Sequence, residues 1–545
     1  MVNRFPTSFY WTGLWLVVVT ASLYIRPPLP VDETRYLAVA WEMWLRSDFL
    51  VPYLNGETYS HKPPLLFWLM HISWAAFGVN DLTPRLVAPL FGLACLFLTR
   101  SVARDLWPDD RRVHDMAPIL LLGCCFWALF STVTMFDLML ALCALLGLKG
   151  ILMALSRRDR RGFVVLGLAI GLGALTKGPA ILVHLLPVAL LAPLWARYLA
   201  NGDNANPKSW WGWYVGVFLA VVLGVAIGLA WAIPAGIAGG EEYRNAILWG
   251  QTAGRMVKSF AHQRPFWWYL AVLPGLVLPW LIWPPLWRTV QTLKETIRFE
   301  GGLRLCLIWF GTAFIVFSLI SGKQLHYLLP EFPAIALVMA YGLCNSNWSE
   351  GGYWSRHLPG LFAVVIGLAI SIVPVLGVIP RPPEWLSLID NWWGLVIVGV
   401  GIWAMIGRYS VPEPRVNKLA AISIFTVVAI HLALAPVLKA VYDLRPFAQQ
   451  LKVWEDQGIP LANFGKYHGQ YQYLGRLTKP MAIMGQKEGD EEAFLQNNPG
   501  GYIVAYYRNV PTVAKPLHTY TFRRITIAVW DAKTMLANPH MGDRR

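Results

Sequence analysis

Apolar stretches of about 18 residues or more recur along this chain, and nothing else in it limits the fold so strongly. Each is long enough to cross roughly 30 Å of hydrocarbon. Lipid cannot hydrogen-bond a backbone, so such stretches must satisfy themselves as helices. No stretch alternates with the two-residue period of a membrane barrel. The residues AVILMFWYC make up 56% of 545, mean hydropathy is +0.46, and only 14% of residues are charged. A soluble chain carries roughly 25% charged residues. The chain therefore reads as an all-α polytopic membrane protein.

About thirteen spans are expected, near 8–26, 85–100, 117–132, 138–155, 163–177, 180–196, 212–235, 266–287, 303–320, 326–343, 359–380, 392–407 and 418–441. The short, Pro-led segment 64–78 suits an interfacial helix better. The run from Thr7 to Ile25 lacks a small-residue cleavage site and reads as an uncleaved first span. The six cysteines lie in or beside apolar stretches without zinc spacing, so no disulfide framework is expected.

The net charge of +15, from 46 basic and 31 acidic residues, fits cytoplasmic loops beside anionic lipid better than a nucleic-acid partner. Basic residues concentrate in alternate loops, at Arg100, Arg104, Arg111 and Arg112; at Arg157, Arg158, Arg160 and Arg161; at Arg288, Lys294 and Arg298; and at Arg408, Arg415 and Lys418. Those loops are assigned to the cytoplasm together with the N-terminus. Loops 27–84, 133–137, 178–179, 236–265 and 321–325 then lie outside, as does everything after about residue 442. There the pattern changes. Arg445 to Gln457 is amphipathic, and short apolar strands follow at Leu461–Phe464, Met481–Met484, Tyr502–Tyr507 and Ile525–Trp530. The division expected is a membrane domain, 1–441, and an outer α/β domain, 442–545. No internal repeat is visible, whereas transporters often show symmetric halves.

Polar residues between apolar spans are candidates for function. The first outer loop carries Asp32, Glu33, Arg35 and Tyr36, then Tyr59, His61 and Lys62. Asp32 and Arg35 equally suit a capped first turn of a helix. Asp137 opens an apolar run, and it too suits an N-cap. Lys177 precedes a Gly178-Pro179 break, where a snorkelling lysine is the plainer reading. Arg264 and His262 lie in an aromatic segment, and Lys323 lies in the polar turn Ser321 to Pro330. His71 and His184 sit in apolar surroundings and are read as structural. The topology puts Asp32, His61, Lys62, Asp137, Lys177, His262 and Lys323 at one membrane face.

Such a cleft suits a lipid-phosphate sugar donor, with its apolar tail, anionic phosphate and polar sugar. Lys62, Arg35, Arg264 and Lys177 are candidates to hold the phosphate and stabilise it as it leaves. Asp32 is the candidate base, and Asp137 would orient acceptor or sugar. Glu33, Tyr36, Tyr59 and Lys323 complete the expected cleft. His61 and His262 could bring imidazoles to one divalent metal ion, the only cofactor suggested.

Asp32-Glu33-Thr34-Arg35-Tyr36, then Val51-Pro52-Tyr53-Leu54-Asn55-Gly56 and Lys62-Pro63-Pro64-Leu65, resemble the first periplasmic loop of the bacterial aminoarabinose transferases that modify lipid A. The resemblance extends to the dolichyl/undecaprenyl-phosphate mannosyltransferase-like superfamily. It continues through Asp137, Lys177-Gly178-Pro179, Pro265-Phe266-Trp267-Trp268-Tyr269 and Tyr327-Leu328-Leu329-Pro330-Glu331-Phe332-Pro333. It implies a GT-C fold in the inner membrane, a periplasmic active site and C-terminal domain, and inverting transfer from a polyprenyl phosphate. It implies that Asp32 is the key first-loop aspartate and Asp137 the second acid. Lys62 and Tyr327 would contact the carrier phosphate, Tyr59 would be a cleft aromatic and His262 a metal-site histidine. The family often has an acid before Lys-Pro-Pro, where this chain has His61.

The function expected is transfer of a monosaccharide from an undecaprenyl-phosphate carrier to an envelope glycolipid or glycan, lipid A being favoured. The rivals are a protein O-mannosyltransferase-like enzyme acting on Ser/Thr and a non-catalytic polyprenyl-lipid transporter or flippase.

Overall fold

The computed structural model describes residues 7–156, 159–199, 209–249, 263–377, 380, 382–486, 489–538 and 541. The helices that build and position the site are α1 (Thr7–Ile25), α2 (Asp32–Arg46), α3 (Leu65–Phe77), α4 (Thr83–Leu106), α5 (Asp137–Ser156), α6 (Arg161–Lys177), α7 (Ala180–Leu190) and α8 (Trp210–Ala238). They are followed by α9 (Gly301–Leu319), α10 (Phe332–Asn345), α11 (Tyr353–Leu376), α12 (Trp393–Met405), α13 (Pro412–Val437) and α14 (Arg445–Asp456).

Among the described residues, eight helical stretches are long and apolar enough to cross a membrane, or nine if the pair bent by 49° after α7 counts as one. The thirteen expected spans are therefore not all continuous helices. The stretch 117–132 falls into Arg111–Leu122 and Cys125–Phe130. The stretch 266–287 falls into Trp268–Leu276, Trp280–Ile282 and the start of Pro284–Thr296. Prolines 274, 279, 284 and 285 remove backbone donors there. α6 and α12 are continuous but short, at 17 and 13 residues. α3 matches the short apolar helix expected near 64–78.

Small residues set the closest helix contacts. A Cβ on Gly150 of α5 would lie 2.6 Å from the carbonyl oxygen of Gly162 of α6, and one on Gly162 would lie 2.4 Å from that of Gly150. The same reciprocity joins α11 to α12 through Gly360 with Gly401 and Gly367 with Gly394. In lipid, where burial of apolar surface drives little association, such close packing holds helices together.

After α13 the chain builds a five-stranded mixed sheet. Its strands are β3 (Leu461–Phe464), β4 (Ala482–Met484), β5 (Tyr502–Tyr507), β6 (His518–Phe522) and β7 (Ile525–Asp531), and the spatial order is β4-β3-β5-β7-β6. β3 pairs parallel with β4 and β5, while β7 pairs antiparallel with β5 and β6. One side packs Ala462, Ile503 and Trp530 against Leu495 and Met535. On the other side Val504, Ile527 and Val529 share a core with Phe447 and Leu451 of α14, Leu37 of α2 and Met70 of α3.

The first loop and this sheet are also stitched by polar contacts. A hairpin of β1 (Tyr53–Leu54) and β2 (Glu57–Thr58) turns at Asn55-Gly56, both at positive φ (57° and 86°) as a tight two-residue turn needs. Asn55 Nδ2 donates to Met481 O (2.9 Å), and its Oδ1 accepts from Met481 N–H (2.8 Å) and Gln472 Nε2 (3.0 Å). Gly469 has φ +70°, and a Cβ there would lie 2.4 Å from Leu54 Cδ1. Asn55→Ala should lower stability by about 1–3 kcal/mol and speed amide exchange at Met481. Unfolding in detergent and hydrogen exchange by mass spectrometry measure both, and unchanged exchange would contradict the tether.

Candidate active site

α2 begins immediately after the first span, which puts two carboxylates in its first turn, where the helix dipole favours them. They point to different environments. Glu33 is 1% exposed and accepts from Arg26 (ion pair, with Nη2 at 3.1 Å), from Leu29 N–H (2.8 Å) and from Thr134 N–H (2.8 Å). Burial alone would raise its pKa, but Arg26, Arg85 and the Thr134 amide together hold it down at about 2. Glu33 was expected to line the cleft; the structure makes it a buried tie instead, because its oxygens already serve Arg26 and two amides.

Asp32 is exposed and pairs with Arg35 one turn along. Arg35 also interacts with the phenols of Tyr36 and Tyr59. Tyr36 is buried edge-on against Phe136 (5.0 Å), and the Tyr59 ring is 5.2 Å from that of His61. The loop after β3 brings His468 into electrostatic reach of Arg35 and Asp32. Burial pushes the His468 imidazole below its usual range, and Arg35 and Lys466 add to this while Asp32 opposes it.

Asp137 opens α5 and is 2% exposed. Lys177, the last residue of α6, donates to its Oδ1 (2.5 Å), and His326 Nε2 lies 4.0 Å from its Oδ2. The Lys177 ammonium lies 4.4 Å from the centre of the Tyr327 ring. Lys62 stands 5.5 Å over the Phe136 ring. His61, Lys62, Lys177 and Tyr327 line a cavity of about 470 Å³, closed by apolar side chains of α6, α7 and α8. Its mouth is cationic and aromatic and its depth is apolar. Asp137 lies behind Lys177, and Asp32 lies beside the mouth through Arg35, Tyr59 and His61.

Other expected site residues lie elsewhere. Lys323 is 3% exposed and donates to the carbonyls of Arg264 (3.0 Å) and Ile320 (2.5 Å), so it clamps two loops, and burial pushes its pKa down. Arg264 is exposed, 5.8 Å from the Trp268 ring, and does not line the cavity. His262 lies outside the described residues. Among the described residues no group of three or more His, Cys, Asp or Glu is arranged to hold a metal ion.

His71 and His184 are buried as expected. His71 Nε2 contacts Ala40 O (2.8 Å), and His184 pairs with Glu331. Sequence reasoning gave no role to His326 or Glu331. The available signal was charge inside an apolar run, which Glu331 shows clearly.

Residues 61–231 match the family described as dolichyl-phosphate-mannose-protein mannosyltransferase. The undecaprenyl phosphate-α-4-amino-4-deoxy-L-arabinose arabinosyl transferase of Photorhabdus laumondii is 28% identical over 428 residues, 74% of this chain and 71% of the relative. That of Edwardsiella ictaluri is 29% identical over 428 residues, 74% and 73% of the two chains. The crystal structure of ArnT from Cupriavidus metallidurans bound to undecaprenyl phosphate superposes with a TM-score of 0.74 at 19% identity, over 95% of this chain and 97% of that one.

Taken with these similarities, helical spans around a charged cleft make the chain a membrane glycosyltransferase with the fold of ArnT. In sequence it is similar to the undecaprenyl-phosphate aminoarabinose transferases, in keeping with the resemblance of its first-loop residues.

Removing one partner of the buried Arg26–Glu33 pair strands the other. Glu33→Gln should cost about 3–5 kcal/mol. Because the Glu33 pKa falls on folding, its stabilisation is present above the unfolded value and is lost as pH drops through about 4 toward about 2. Thermal unfolding against pH should show wild type losing stability more steeply than Glu33→Gln over that window. Parallel profiles would contradict the assignment.

Proposed function

We propose that this enzyme transfers a monosaccharide, aminoarabinose in the first instance, from undecaprenyl phosphate to lipid A at the periplasmic face of the inner membrane. The observation that carries this is the cavity with His61, Lys62, Lys177 and Tyr327 at its mouth and an apolar interior. An amphiphile with one phosphate fits it, its tail along α6 and α8 and its phosphate at the two lysines. The relatives named above are arabinosyl transferases, and the solved ArnT holds undecaprenyl phosphate.

The acceptor oxygen attacks the anomeric carbon opposite the carrier. The bond from that carbon to the carrier phosphate breaks, and its electron pair leaves on the phosphate, so configuration inverts. Lys62 and Lys177 stabilise the charge that builds on the leaving phosphate. Tyr327 fixes the Lys177 ammonium from one side and Asp137 from the other. Asp32 takes the proton of a hydroxyl acceptor, or, where the acceptor is a phosphate, stabilises the oxocarbenium-like centre. Arg35 orients it. The segment 442–545 acts as a periplasmic domain that covers the Asp32 side of the cleft through His468 and Gly469.

The test is mass spectrometry of envelope glycolipids from a deletion strain complemented with wild type or with Asp32→Asn. A single sugar increment on lipid A should vanish in the deletion and return only with wild type. Asp32→Asn should retain at most about 1% of turnover in vesicles. Full restoration by Asp32→Asn would remove its catalytic role. An increment on Ser/Thr of a glycoprotein would favour the mannosyltransferase activity of the family matched at 61–231.

A further inference from the structure

A second cavity, of about 720 Å³, opens where the ends of α1, α4 and α13 meet the start of α14. Four cationic side chains line it, Arg26, Arg85, Lys439 and Arg445, against two carboxylates, Asp81 and Asp443. Both carboxylates are engaged. Asp81 pairs with Arg476 (2.6 Å) and Arg445 (3.6 Å), and Asp443 accepts from the Arg445 N–H (3.0 Å). Arg26 is committed to Glu33. Arg85 also feels Glu33 and Asp81, and Lys439 is the lining cation that forms no ion pair among the described residues.

Arg85 is 4% exposed, yet it sits at the start of a membrane helix. Its Nη1 and Nη2 donate to the carbonyls of Leu23 (3.2 Å) and Arg26 (2.7 Å), while its buried Nε has no acceptor among the described residues. The Arg445 Nε is likewise buried without one. A guanidinium buried with an incomplete set of acceptors keeps a poorly compensated charge, which a nearby anion offsets. Lys439 stands exposed on the same wall. α1, α4 and α13 all belong to stretches long enough to span a membrane, so the cavity lies at the depth of lipid headgroups.

We propose that this cavity is a second lipid site, which takes the phosphate headgroup of an anionic membrane lipid, held by Arg85, Lys439 and Arg445. It is separate from the cavity of Lys62 and Lys177, and the two share no lining residue. The site does not depend on which sugar is transferred, or on whether transfer occurs. Phosphate suits it because three oxygens can accept from several cations at once.

The test is native mass spectrometry of the full chain in detergent, titrated with dihexanoyl phosphatidate, dihexanoyl phosphatidylcholine or inorganic phosphate. Lys439→Ala and Lys439→Glu alter an exposed residue and should leave the fold intact, and Lys418→Ala removes a charge near the other end of the same helix. Phosphatidate should bind wild type at least tenfold more tightly than phosphatidylcholine. Lys439→Ala should weaken it roughly fivefold to tenfold and Lys439→Glu further, with Lys418→Ala unchanged. Equal binding of the two lipids would overturn the proposal, as would equal losses in the Lys439 and Lys418 variants. Inorganic phosphate binding as tightly as phosphatidate would overturn the lipid assignment.

Discussion

The buried ion pair between Arg26 and Glu33 is the constraint on which the rest of the site depends. It joins the end of the first span to the first turn of α2, and through the Thr134 amide it joins both to the loop that leads into Asp137. Two neighbouring segments and a third, 101 residues on, are thereby fixed within one hydrogen-bond shell. Asp32, next to Glu33, is left facing outward, and Asp137 is left at the buried start of α5. A charge pair in such surroundings adds little net stability against an apolar replacement, but breaking it is costly. Its contribution is to register.

The cleft separates two tasks. Its apolar depth, between α6, α7 and α8, suits a hydrocarbon chain. Its mouth concentrates positive charge, yet each cation is steadied: Lys177 by Asp137 and the Tyr327 ring, Lys62 by the Phe136 ring. The segment after α13 packs beside the first loop, its core continuous with α2 and α3.

Much of this was legible in the sequence because a polar residue beside an apolar span is conspicuous. Asp137, Lys177 and Tyr327 stand where a span begins, ends or turns, Lys62 stands just before the short helix α3, and the structure gathers them. Glu33 and Asp32 are adjacent and chemically alike, and no local signal divides them. What divides them is Thr134, 101 residues away. Lys323 was misread for the same reason, since its partner carbonyl on Arg264 lies 59 residues earlier. Apolar runs such as 266–287 do not form single helices where prolines interrupt them, because hydropathy does not register a missing N–H. β6 (His518–Phe522) was missed because its exposed alternate residues dilute its apolar signal.

The most direct test of the account is a titration of undecaprenyl phosphate into the purified protein and into Lys62→Ala and Tyr327→Leu variants, followed by intrinsic tryptophan fluorescence. The account predicts at least about tenfold weaker binding for Lys62→Ala, with a smaller loss for Tyr327→Leu, where only the support of Lys177 is removed. Unchanged affinity in both variants would contradict it, and would mean that the carrier phosphate is held somewhere other than the mouth of this cavity.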